Sequence, residues 1–296
     1  MLQDFFSKNS KPNVAIFLSG SGTNAEKLLE SLENPKYNTW NPSVLVTDNP
    51  NKSRASEIAK KYSLPVVELD IRVFYQERGL KTTSLATEEG RKVREEWTDS
   101  LRKLLAPYSI DFGVLAGFVP LTNITSDFPC LNVHPGDLTV EENGSRVLVG
   151  LHTIPIERAI INGFDSLRTS VIVAQTYTGV GGEMDSGPIL GLSDKVKIDL
   201  KGNNLDELIN IYNLRPTKRP IGGYKDLLEE VAKHNQELLK VDGDWKIFPP
   251  TVAAFAEKKY ALDADEPNTL LYKDQDEWKV IKTVVFKADK ADLIFK

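Results

Sequence analysis

Two stretches of this chain bring together residue types that can do chemistry. The first is Ser19-Gly20-Ser21-Gly22-Thr23-Asn24. It lies between an apolar run, Val14 to Leu18, and an i, i+3, i+4, i+7 stripe of Ala25, Leu28, Leu29 and Leu32 that predicts an amphipathic helix. Two glycines let the backbone turn sharply and approach a ligand closely. The free N–H groups at the helix start face the same point, which suits a phosphate. Ser21 and Thr23 add hydroxyls and Asn24 an amide, although residues of these types also serve a ligand-free turn as helix caps. The second stretch is Leu131-Asn132-Val133-His134-Pro135. On a strand, positions i and i+2 point the same way, so Asn132 and His134 share a face. An amide beside an imidazole suits a carbonyl oxygen that is becoming an oxyanion. A glycine-flanked carboxylate, Asp185 in Met184-Asp185-Ser186-Gly187-Pro188, can orient such an imidazole, raise its pKa and accept a proton through a water. The same sequence also fits an Asx turn.

These groups need a scaffold, and the first half of the chain predicts one. Val14 to Leu18, Val44 to Val46, Pro65 to Leu69 and Phe112 to Ala116 read as buried strands. Between them, Ala55, Ile58, Ala59 and Tyr62, and then Val93, Trp97, Leu101 and Leu104, have helical spacing. Strands that are apolar throughout and joined by helices predict an α/β, doubly wound, mostly parallel Rossmann-like sheet over residues 1–200. Residues 72–91 are charged and weakly periodic and read as a long surface loop. Residues 201–240 read as a helical extension, with helices at Leu205 to Tyr212 and Tyr224 to Leu239. Residues 241–296 read as a small β-rich C-terminal appendage, with strands at Trp245 to Phe248, Leu270 to Lys273 and Trp278 to Ile281 and a turn at Pro249-Pro250.

Composition narrows the function classes. The chain has 296 residues, 41% hydrophobic and 27% charged, as in an ordinary soluble globular protein. A formal charge of −5 and a pI of about 5.5 argue against a nucleic-acid or anionic-membrane binder, so the expected partners are small-molecule substrates. The single cysteine, Cys130, excludes an internal disulfide and any thiolate-rich metal site. His134, His152 and His234 are too scattered to predict a metal centre. His152 precedes a helix start and suits a pocket wall, whereas His234 sits in a polar, solvent-exposed helix stretch. Neither a signal-peptide core nor a membrane-length apolar run occurs, which predicts a cytoplasmic setting.

In order along the chain, the strand–Ser-Gly-x-Gly-Thr-Asn–helix unit, Val114-Leu115-Ala116-Gly117-Phe118, Asn132-x-His134-Pro135, Gly150-Leu151-His152, Thr169-Ser170-Val171 and Met184 to Pro188 resemble the folate-dependent formyltransferases. The loop is most similar to the branch that formylates glycinamide ribonucleotide in purine biosynthesis. The resemblance covers about residues 12 to 200 and implies the formyltransferase fold. It also implies 10-formyltetrahydrofolate as formyl donor, with no metal. The implied catalytic set is Asn132, His134 and Asp185, with the acceptor's phosphate on Ser19, Gly20, Ser21, Gly22, Thr23 and Asn24. The implied folate wall is Ala116, Gly117, Phe118, Val119, Pro120 and Leu121, with Gly182 and Glu183 from the later loop. The chain departs from the family at Gly136-Asp137-Leu138-Thr139, in the charged stretch with Glu141, Glu142 and Arg146, and at Pro120. The family's late-helix Gln and Glu find no counterpart in Asn210 to Lys225. A same-fold enzyme acting on an amino sugar or on water is an alternative. So, from another class, is a nicotinamide-dependent oxidoreductase. In that reading Gly20 to Ala25 form Gly-x-Gly-x-x-Ala, and Asp48 is the acid that reads a ribose.

Overall fold

In the computed structural model, which describes residues 2–7, 11–177, 183–220, 222–266, 269–287 and 291–295, the buried runs of the first half become parallel strands with helices between them. The chain begins with β1 (Leu2–Asp4), β2 (Asn13–Phe17), α1 (Thr23–Ser31), β3 (Asn41–Thr47), α2 (Ala55–Tyr62) and β4 (Val66–Glu68). It continues through α3 (Ile71–Gln76), α4 (Glu88–Leu105), β5 (Phe112–Leu115) and β6 (Cys130–His134). A hairpin of β7 (Glu141–Glu142) and β8 (Ser145–Arg146) leads to α5 (Ile154–Ile161), β9 (Ser166–Leu167), β10 (Ser170–Val173), β11 (Ile189–Leu192) and β12 (Val196–Lys197). The helices α6 (Leu205–Asn213), α7 (Leu227–Leu239) and α8 (Trp245–Ala256) follow. Last come β13 (Tyr260–Asp263), β14 (Leu270–Asp274), β15 (Glu277–Ile281), β16 (Thr283–Phe286) and β17 (Ala291–Ile294).

The main sheet has nine strands in the order β17-β16-β11-β10-β6-β5-β2-β3-β4. Strands β2 to β6 are mutually parallel, β10 is antiparallel to both β6 and β11, and β16 runs parallel to β11. From β2 the chain builds outward to β4, then returns across the sheet to β5. That reversal opens a crevice beyond the carboxyl ends of β2 and β5, where open α/β sheets bind ligands. Period-two alternation divides β2 between two cores. Val14 and Ile16 pack with α1, α2 and α8, while Ala15 and Phe17 pack with α3 and α4.

The fold departs from the sequence reading in four places. Residues 72–91 are only partly loop, because α3 occupies Ile71–Gln76 and is capped by Asp70, whose carboxylate accepts from the Arg72 and Val73 amides. Trp245 to Phe248 is helix and not strand, and Pro249 and Pro250 lie inside that helix. Proline in a helix interior costs about 3 kcal/mol. The helix offsets this by burying Ile247, Phe248, Val252 and Phe255, at roughly 1.5–3 kcal/mol for each large apolar side chain. The wider π turn of Lys240–Asp244 precedes it, so the expected boundary at 240/241 falls inside a continuous helical stretch. Finally, the C-terminal strands form the expected β-rich unit but divide between two sheets. Strands β16 and β17 complete the main sheet, while β1 from the N-terminus pairs with β13 in a separate sheet of order β1-β13-β14-β15.

Candidate active site

The crevice is a cleft of about 740 Å³, inside the usual size range of small-molecule sites. Three walls meet there. One is the turn from β2 into α1, and another is the segment after β5. The third combines the end of β6 with Asp185, and Gln236, Lys240 and Asp244, from α7 and the turn after it, also line the cleft.

His134 ends β6 and is only 3% exposed. Its Nε2 lies 2.7 Å from the Leu148 carbonyl oxygen. A carbonyl only accepts, so Nε2 carries the proton and the neutral ring keeps its lone pair on Nδ1. Nδ1 lies 3.6 Å from Asp185 Oδ2, and Asn132 Nδ2 lies 3.5 Å from Asp185 Oδ1. The shared strand face expected for Asn132 and His134 is therefore present, and Asp185 meets both. Burial pushes the His134 pKa below its ordinary 6.5, with Asp185 and the Leu148 carbonyl pulling it up and Arg146 pushing it down. Near pH 7 the imidazole is neutral and able to take a proton.

The local fold around His134 depends on Gly136. A Cβ there would lie 2.6 Å from the Leu148 oxygen and 3.1 Å from His134 Nε2. Ser170 ties this turn to β10, donating to the Gly136 carbonyl (2.7 Å) and accepting from the Leu138 amide (3.0 Å).

At the glycine loop, Gly22 is the N-cap of α1 in the left-handed region (φ 66°), and no side chain caps the helix. The first amides of α1 thus remain available to an anion. Gly20, Ser21, Gly22 and Thr23 line the cleft. Ser19 and Asn24 line it too, but their side chains are already bonded within the protein. Ser19 donates to Asp48 Oδ1 (2.5 Å) and accepts from the Val119 amide (2.9 Å), coupling the loop to the ends of β3 and β5. Asn24 donates to Asp244 Oδ2 and accepts from Trp245 Nε1, both at 3.0 Å. Asp48, the acid of the nicotinamide reading, is 6% exposed, is held by Ser19, and has its pKa raised by burial.

The Ala116 to Leu121 segment lines the cleft. Its Gly117 carbonyl accepts from the Ser19 amide (3.2 Å), and its Leu121 carbonyl accepts from buried Arg94 (2.7 Å). Gly182 lies outside the described residues, and Glu183 opens the 3-10 turn Glu183–Ser186 that carries Asp185. His152 sits on the cleft rim in the left-handed region (φ 57°), and His234 pairs with Asp199 on the far side of α7 (2.9 Å). Among the described residues no group of His, Cys, Asp and Glu could hold a metal ion. Among the described residues no helix is long and apolar enough to cross a membrane.

Sequence reasoning missed Gln236, Lys240 and Asp244. It sought the family's Gln and Glu within Asn210 to Lys225, whereas the residues that reach the cleft lie late on α7 (Leu227–Leu239) and in the turn that follows it. Asp244 is held by Thr169 Oγ1 (2.7 Å) and by Asn24, and burial raises its pKa to about 6. The only sequence signal for it was an acid beside Gly243 and Trp245.

The open sheet, with its cleft at the reversal point, has the formyltransferase fold, as its likeness to solved structures shows. Three solved structures with this fold are phosphoribosylglycinamide formyltransferases. That of Coxiella burnetii superimposes with a TM-score of 0.58 at 16% identity, covering 94% of this chain and 100% of its own. That of Anaplasma phagocytophilum gives 0.57 at 18%, with the same coverage. That of Bacillus halodurans gives 0.53 at 23%, covering 81% of this chain and 93% of its own. Neither a protein-family model nor a curated protein sequence matches the chain.

Proposed function

We propose that this protein transfers the formyl group of 10-formyltetrahydrofolate to the primary amine of a phosphorylated acceptor, with glycinamide ribonucleotide as that acceptor. The observation that carries the reading is the convergence of Asn132, His134 and Asp185 in the same cleft as an uncapped helix N-terminus. His134 Nδ1 takes the amine proton as the new C–N bond forms at the formyl carbon. The resulting imidazolium faces Asp185 as its counter-charge and donates, together with the Asn132 amide, to the oxyanion. As the old C–N bond breaks, the imidazolium returns its proton to the departing folate nitrogen. The amine proton thus ends on tetrahydrofolate, and no further reactant is needed.

The wall at Gly117 to Leu121 fits a pterin. The Gly117 and Leu121 carbonyls are engaged by the Ser19 amide and Arg94, so the acceptors this segment can offer to the donor-rich edge of the pterin ring are the carbonyls of Phe118, Val119 and Pro120. The Gly20 to Thr23 loop suits the acceptor's phosphate. The cytoplasmic setting, the small-molecule partners and the metal-free chemistry belong to this reading.

The test is a panel assay with 10-formyltetrahydrofolate and glycinamide ribonucleotide, an amino sugar phosphate, or water as acceptor, with nicotinamide-cofactor binding as a control. Formylation of glycinamide ribonucleotide with a kcat/KM of ~10⁴ M⁻¹s⁻¹ or more supports the reading. Turnover on water alone makes the protein a hydrolase, and cofactor binding without formyl transfer moves it to another class.

A further inference from the structure

The hairpin that departs from the formyltransferase pattern reaches the Asp185 turn. Asn143 and Gly144 both lie in the left-handed region (φ 50° and 74°), the backbone that a two-residue hairpin turn requires, and they reverse β7 into β8. The returning strand is held in place. The Val147 amide bonds to the Val140 carbonyl (3.1 Å), and Arg158 donates to the Val147 and Val149 carbonyls (3.2 and 2.8 Å). Arg146 leaves this strand and donates to two main-chain oxygens of the catalytic turn, those of Asp185 and Gly187, the second at 2.8 Å. Two residues on, the Leu148 carbonyl fixes His134 Nε2.

The carbonyls of the turn divide in a telling way. Those of Met184 and Pro188 accept from the Gln175 and Val173 amides, both at 3.1 Å, so β10 and its extension anchor the two ends. Those of Asp185 and Gly187 lie between the anchors and face the guanidinium. Gly187 packs so closely against β10 that a Cβ would sit 1.8 Å from the Val173 oxygen. A planar fork spans two neighbouring carbonyls in a way a single ammonium does not.

We infer that Arg146 is a positioning residue that locks the Asp185 turn through its two carbonyls, so that one strand sets both members of the His134–Asp185 pair. Its effect on turnover rests on the formyl-transfer reading above, whereas the lock itself does not. Asp185 and Arg146 are the charged groups that face His134, and Glu141 and Asp185 those that face Arg146. The charge and the fork are therefore separable by substitution.

The experiment compares full-length wild type with Arg146→Lys, Arg146→Gln and Glu142→Ala, an exposed control on the same hairpin. Hydrogen exchange is followed in the peptide spanning 171–190, together with the titration of the His134 imidazole by NMR and the kinetics with 10-formyltetrahydrofolate and glycinamide ribonucleotide. A lock predicts roughly tenfold or faster exchange in that peptide for both Arg146 variants and none for the control, because charge-assisted bonds to two carbonyls are lost. It predicts a fall in kcat with KM little changed in both. It also predicts a His134 pKa that rises in Arg146→Gln, where the cation is gone, but stays near wild type in Arg146→Lys. Unchanged exchange in both variants overturns the lock, as does Arg146→Lys with wild-type kcat in an active enzyme. A wild type inactive on glycinamide ribonucleotide, with exchange still accelerated in the variants, refutes the acceptor assignment and leaves the lock supported.

Discussion

At the scale of single residues, burial sets the chemistry. Asn132→Ala removes a neutral donor and should lower kcat by ~10²–10³-fold while leaving the fold intact. Asp185→Asn keeps the side chain's shape but withdraws the counter-charge for an imidazolium, a loss of ~10²–10⁴-fold. Steady-state rates set beside melting curves check both. A wild-type rate in either variant would remove that residue from the mechanism. Asp244 supplies a stability test. It binds its proton more tightly in the folded chain (about 6) than in the unfolded chain (3.8). Its contribution is therefore fully present below pH 3.8 and is lost as pH rises to about 6. At about 1.4 kcal/mol for each pKa unit, that loss has an upper limit of ~3 kcal/mol. Asp244→Asn has no such titration, so the stability of wild type minus variant should fall between pH 4 and 7 and stay flat above. Urea melts across that range measure it, and a difference independent of pH would show that Asp244 ionises in the folded chain as it does in the unfolded one.

Elements decide what a loop residue can reach, and here the two glycines of the first turn differ. A Cβ at Gly22 would meet Ile58 and Leu18 at 2.5 and 2.7 Å, and the backbone there is left-handed. A Cβ at Gly20 meets nothing within 4 Å. Gly22→Val should therefore lower the melting temperature by injuring the core, a distinction the Gly-x-Gly spacing does not carry. Gly20→Val should leave stability near wild type and raise KM for the phosphorylated acceptor at least tenfold, with folate binding unaffected. Calorimetry and separate titration of the two ligands distinguish these outcomes, and equal weakening of both ligands in Gly20→Val would refute a phosphate site. Local pattern made β2, α1, β5 and the shared face of Asn132 and His134 legible, because each depends on neighbours in sequence. It did not reveal Asp244 beside Asn24, or Arg146 beside Asp185. Those pairs are separated by 220 and 39 residues and meet only through the sheet order. Nor did it reveal α8, since Pro249-Pro250 is a local stop signal that only the burial of Phe248 and Phe255 overrides.

For the whole molecule, the same long-range closure decides whether residues 241–296 form a separate unit. Read along the chain they look appended, since turn residues and short strands replace the α/β rhythm. In space they close the fold. Phe255 stacks edge-on against Phe112 of β5 (centroids 5.1 Å apart) and contacts Phe5 and Phe6 from the N-terminus. Tyr260 donates to the Leu190 carbonyl of β11 (2.9 Å), and β16 pairs with β11 in the main sheet. Trp245 and Asp244 hold Asn24 at the start of α1, so the cleft itself is built from both ends of the chain. Units joined by so much buried apolar surface do not unfold independently. Scanning calorimetry of the full chain should give one transition whose calorimetric and van't Hoff enthalpies agree. A chain cut after residue 240 loses Ile247, Phe248, Val252 and Phe255 from the core that also holds Val14, Ile16 and Phe112. It should collapse without fixed packing, bind hydrophobic dye and show no cooperative melt. Two resolved transitions in the full chain, or a cooperative melt of the shortened one, would establish residues 241–296 as a domain of their own.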